Sequence, residues 1–135
     1  MTIESDDVGE KVVWPGHFPT CCPCPPDDSV NLGGVLYHLA FVPSHPEDFK
    51  SAMERNRYKN LTACERCSLS CWTETEFLTE VLLPLPLHEG KTILKAQLQP
   101  NDGKMKLAPL HAERGHRSVW FCASTHQRLA EIFQP

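Results

Sequence analysis

Five prolines between Trp14 and Asp28 limit this chain more than any other feature. Pro15, Pro19, Pro23, Pro25 and Pro26 fall inside that stretch. Each fixes its own φ and removes a backbone donor, so the segment supports neither a regular helix nor a central strand. Extended polyproline-type backbone is expected instead, wrapping over a domain with Trp14 and Phe18 as anchors. Met1–Lys11 reads as an acidic leader ahead of it, and Gly33 and Gly34 release the chain into its first regular element. The expected division is a leader and proline-rich arm over residues 1–30 and a compact domain over 31–135.

The rest of the chain alternates between short elements. Val35 to Val42 is an apolar, β-rich run with His38 at its middle, and it reads as a strand. Ser44 to Arg57 reads as a helix, with Pro46, Glu47 and Asp48 in the first turn and Phe49, Ala52 and Met53 facing inward. A second helix is expected from Glu74 to Leu83, stopped by Pro84. Thr92 to Leu98 alternates apolar and polar residues as a half-buried strand does. Asn101-Asp102-Gly103 then turns the chain into a strand over Lys104 to Leu110. Ser118 to Cys122 is another strand, and Ser124 with Gln127 caps a last helix. The fold class that follows is α+β: one small domain, a short and mostly antiparallel sheet, and about three helices.

Composition excludes several functions. At 135 residues, with 41% apolar and 22% charged residues, the chain has enough material for one core. Its net charge of −4 argues against a nucleic-acid partner gripped by a basic face. No apolar run is long enough for a membrane span, and the best candidate, Val81 to Leu87, is cut by Pro84 and Pro86. The first residues lack a basic-then-apolar secretion pattern, so a cytoplasmic location is the default expectation. Seven cysteines, an odd number without a secretion signal, argue against a disulfide framework and leave metal binding, reactive thiols and plain burial open.

The densest chemistry lies in Ala63 to Glu76. Cys64 and Cys67 have the two-residue gap of a zinc knuckle, Cys71 follows, and Thr73 with Glu76 spells a capping box. Tetrahedral zinc needs four ligands, so Cys64, Cys67, Cys71 and Cys122 form the candidate set. His116, His111, His38 and Cys21, Cys22 and Cys24 are rival donors. Cys71, just before a helix start, is also a candidate nucleophile, with His116 or His126 as its base.

From Gly34 onward the chain resembles a set of small bacterial proteins without an assigned activity. The likeness rests on Val35-Leu36-Tyr37-His38-Leu39, on Cys64 to Thr73, on the glycine-turn stretch Lys91 to Leu107, and on Gly115-His116-Arg117-Ser118-Val119-Trp120-Phe121. It implies a fold and no particular chemistry. His38 stands where that pattern more usually has arginine, and Cys71 where it has an aliphatic residue. The same outline is loosely similar to the ADP-ribosyltransferase fold. That likeness implies NAD as cofactor, with His38 gripping it and Ser70 and Thr73 ordering the pocket. The late-strand glutamate of those enzymes has no counterpart in Ser118 to Cys122.

Three functions therefore stand as expectations. The first is an accessory protein that docks on a larger protein, as regulatory, immunity and phage-type inhibitor proteins do, with Trp14, Phe18 and Trp72 at the interface. The second is an NAD-using enzyme or its degenerate relative, and the third a zinc-stabilised interaction module.

Overall fold

The computed structural model describes residues 12–20 and 23–135. Its centre is an antiparallel sheet of six strands in the order β1-β5-β6-β3-β2-β4. The strands are β1 Val30–Asn31, β2 Gly34–Ala40, β3 Leu69–Trp72, β4 Thr92–Leu98, β5 Gly103–Leu107 and β6 His116–Phe121. This is a mixed α+β domain. The acidic leader and Cys21 and Cys22 lie outside the described residues. Among the described residues no helix is long and apolar enough to cross a membrane.

Side chains alternate across the sheet, and both faces are covered. One face carries Leu36, Ala40, Leu69, Cys71, Leu94, Ala96, Leu98, Val119 and Phe121, packed against Phe49, Leu129 and Phe133. The opposite face carries two separate apolar clusters. At one end Leu39, Trp72, Phe77 and Leu78 pack together. At the other, Trp120 is fully buried with Phe18 and Cys67, and Trp14, Cys24, Met53 and Cys64 close around them. Between the two lies a polar strip.

The proline-rich arm from Val12 onward is part of this packing. Trp14 stacks on Phe18 at 5.9 Å, Val13 accepts a backbone hydrogen bond from Ala123, and a disulfide joins Cys24 to Cys64. For Cys24 and Cys64 that disulfide corrects the argument against disulfide bonding drawn from the odd cysteine count. The expected boundary at residue 30 falls at the start of β1, which is hydrogen-bonded to β5 through Val30↔Met105 and Asn31↔Lys104.

All three expected helices differ from expectation. Only Pro46–Phe49 is helical within 44–57, as a single 3-10 turn capped by His45. Lys50 is already extended, the Ser51 and Glu54 side chains bond locally, and Asn56 and Tyr58 sit at positive φ. Those local bonds compete with the helical ladder and win. The 74–83 segment does coil and does stop before Pro84, but over Leu78–Leu82 it is a wider π-helix. The last helix is divided into Ala123–His126 and Leu129–Ile132.

Candidate functional site

The polar strip is built by the ladder between β3 and β6, whose register pairs Ser70 with Ser118 and Trp72 with His116. Period-two alternation puts all four on one face. Gly115 sets the entry to β6: its φ is 95°, and a Cβ there would stand 2.9 Å from Thr73 Oγ1. Thr73 N–H also donates to the Gly115 carbonyl at 2.9 Å. Only glycine fits this approach, and it delivers His116 directly onto the strand.

The His116 ring lies between two oxygens. Its Nδ1 is 2.7 Å from the Leu110 carbonyl, and its Nε2 is 2.9 Å from Ser70 Oγ. A carbonyl can only accept, so Nδ1 carries the proton. The Nε2 lone pair is then left to take the Ser70 hydroxyl hydrogen. The ring stacks on Trp72 at 4.3 Å and 9°, and Trp72 stacks on Phe77 at 4.9 Å. Burial holds the His116 pKa below its ordinary 6.5, with His111 and Arg117 pushing the same way against the Leu110 carbonyl and Glu65. The ring is therefore neutral near pH 7, and the Ser70 hydroxyl is exposed to solvent.

Ser118 has different company. Its Oγ donates to Glu65 Oε2, and Ser68 Oγ donates to the Glu65 carbonyl at 2.7 Å. Glu65 belongs to the short helix Ala63–Arg66, which Thr62 caps. Of the two facing serines, only Ser70 is left with an imidazole.

The residues expected to form an NAD pocket are not arranged as one. His38 is on the first face, beside Phe49 at 5.0 Å and Phe133 at 5.9 Å. Its Nδ1 is 2.9 Å from the Ser70 carbonyl and its Nε2 3.0 Å from the Asp48 carbonyl. His38 therefore touches the Ser70 backbone and not its hydroxyl, which points to the opposite face. The β2–β3 ladder is registered only at Tyr37↔Trp72, and the His38 ring fills the gap where the strands part. Burial pushes its pKa below 6.5 although both carbonyls favour the charged ring. Thr73 reaches the site only by shaping Gly115.

The proposed zinc ligands do not converge. Cys64 is bonded to Cys24, and Cys67, Cys71 and Cys122 are buried thiols. Cys71 lies in the core on the first face, while Cys67 packs with Trp120 on the second. Burial raises Cys67 to about 11 and Cys71 further still, which makes both poor nucleophiles and poor ligands. Among the described residues no group of three or more His, Cys, Asp and Glu side chains forms a metal site. Trp14, Phe18 and Trp72, the expected interface residues, contribute to this chain's own packing. Phe18 and Trp72 are buried and Trp14 is half-buried, because each packs against this chain's own sheet.

Two further features lie elsewhere. Glu54 stands between His17, 3.9 Å away, and His126, 3.3 Å away. Burial raises the Glu54 carboxyl, but the Ser51 N–H and the two imidazoles outweigh it and hold it below its ordinary value. A hollow of about 440 Å³ is lined by Val13, Asn101, Cys122, Ser124 and Gln127 among others, and neither Ser70 nor His116 lines it. The Ser70–His116 pair, in contrast, sets an imidazole nitrogen 2.9 Å from a hydroxyl.

His116 is the residue that sequence reasoning did not join to Ser70. Its position in the segment Gly115 to Phe121 is a visible signal, but the pairing needs the β3–β6 register. Compared with protein-family models, curated proteins and solved structures, the chain matches none.

Proposed function

We propose that this is a small accessory protein that docks on a larger protein through the end of the sheet where β2 finishes and β4 begins. The supporting observation is the apolar surface gathered there. Ala40 pairs with Thr92, so the residues after β2 adjoin those before β4. Phe41 and Val42 are 44% and 54% exposed, and Leu87, in the segment leading into β4, is 78% exposed. The Phe41 ring packs against Gly90 with Lys91 Nζ 5.6 Å from its centre.

Fully burying an aliphatic or aromatic side chain contributes roughly 1.5–3 kcal/mol. A cluster of them beside a lysine fits a partner with an apolar surface and an acidic rim. The Cys24–Cys64 disulfide favours an oxidising setting over the cytoplasm expected from the sequence.

The test is native mass spectrometry of the tagged protein purified from its own host. A stoichiometric complex is expected, lost in Leu87→Asp and retained in Tyr58→Asp, a similarly exposed change in another loop. A lone chain, or a complex indifferent to Leu87→Asp, removes this reading.

A further inference from the structure

We propose that Ser70 is a nucleophile with His116 as its general base, and that it accepts acyl groups from small carboxylic esters bearing good leaving groups. This activity is independent of the docking surface, which lies at a different part of the sheet.

The geometry is that of an activated hydroxyl. A serine attacks well when an imidazole nitrogen within hydrogen-bond reach removes its proton and a third group holds the ring in the correct tautomer. Ser70 Oγ and His116 Nε2 are 2.9 Å apart, and the Leu110 carbonyl takes the Nδ1 proton at 2.7 Å. A backbone carbonyl here fills the orienting role that a carboxylate fills in other serine nucleophiles. Trp72 stacking fixes the ring plane from one side. Ser118, directly across the ladder, provides the internal contrast, since its hydroxyl is held by Glu65 rather than by an imidazole.

The reaction balances with water as the only co-reactant. Ser70 Oγ adds to the ester carbonyl while its proton moves to His116 Nε2. The carbon–oxygen bond to the leaving group breaks, and the departing alkoxide takes that proton. Water then attacks the acyl-serine, delivers a proton to Nε2, and that proton returns to Ser70 as the carboxylic acid leaves. Because Ser70 is exposed and not enclosed, the site suits small esters and contributes little substrate binding. Its signature is the reactivity of one serine.

The groups facing His116 are His111 in the preceding turn, Arg117 on β6, Glu65 on the short helix and Trp72 on β3. Their combined effect with burial is to hold the ring's pKa below 6.5. The Ser70 reaction rate is therefore expected to rise from acid with its midpoint below the ordinary imidazole pKa and then to level off.

An alkyl fluorophosphonate is the probe, since attack forms an oxygen–phosphorus bond and expels fluoride. Intact mass and peptide mapping of the folded protein should show one adduct, on Ser70. It should be lost in Ser70→Ala and kept in Ser118→Ala. His116→Gln should slow labelling at least about 100-fold, the lower range for a positioned general base, with unchanged melting. Should His116→Gln fail to fold, the pH profile of the unaltered protein decides. A sigmoidal rise with its midpoint below pH 6.5 supports the proposal, and a rate proportional to hydroxide throughout overturns it. No adduct, or labelling spread over several serines, also overturns it.

Discussion

Removing the Cys24–Cys64 disulfide is expected to lower stability by about 4 kcal/mol. The bond spans 40 residues of sequence and joins the proline-rich arm to the helix Ala63–Arg66. A cross-link of that span removes roughly 13 cal/mol/K of loop entropy from the unfolded chain, or about 4 kcal/mol at 25 °C. The native contacts around it do not involve the sulfur atoms: Phe18 packs with Trp120, and Trp120 Nε1 donates to the Cys64 carbonyl at 2.9 Å. The loss therefore falls mainly on the unfolded state. For a domain of this length the unfolding entropy near the midpoint is about 0.28 kcal/mol/K, so melting should fall by about 14 °C. The assay is urea unfolding of the unaltered protein and of Cys24→Ala with Cys64→Ala, followed by tryptophan fluorescence. Identical native spectra with a lower midpoint are expected. Unfolding free energies that differ by less than about 1 kcal/mol would refute the entropy argument.

Three other outcomes follow from the packing. Gly115→Ala should destabilise by about 1–3 kcal/mol, because alanine at a positive φ is strained and its Cβ meets Thr73 Oγ1; chemical denaturation reads this directly. Trp120→Phe should cost about 1–3 kcal/mol, from the lost Nε1 bond to the Cys64 carbonyl, which keeps its bond from the Cys67 N–H, and from the space left by the larger ring. Acid should destabilise the protein from about pH 6.5 downward. His17, His38, His88 and His116 all have folded pKa values below 6.5, so the unfolded chain binds more protons there. Stability from these groups is full above pH 6.5 and declines until the pH has passed their folded values. A melting temperature that is flat between pH 5 and 7 would count against this.

Local features were legible where backbone chemistry acts alone. β4 is bounded at Thr92 and Leu98 as its alternation predicts, because a sheet edge with one buried face imposes period two. Pro84 ends the π-helical segment, since it cannot continue the ladder. The 44–57 segment misled because its apolar spacing suits a helix, while Ser51, Glu54 and the positive-φ residues Asn56 and Tyr58 divert the backbone. β3 was left between a metal-site turn and a strand leading into a helix, because four residues with Cys71 and Trp72 among them carry too little periodicity to separate the two.

An α+β domain, a proline-rich segment unsuited to helix or central strand, and a charge that does not favour nucleic acid were all readable from the residues. These follow from composition and from preferences that each residue expresses with its neighbours. Tertiary structure alone decided which cysteines pair, which face His38 occupies, and that His116 rather than His38 meets the Ser70 hydroxyl. Cys24 finds Cys64 across 40 residues and Ser70 finds His116 across 46. Such contacts depend on strand order and register, and a shift of one residue would turn Ser70 to the opposite face.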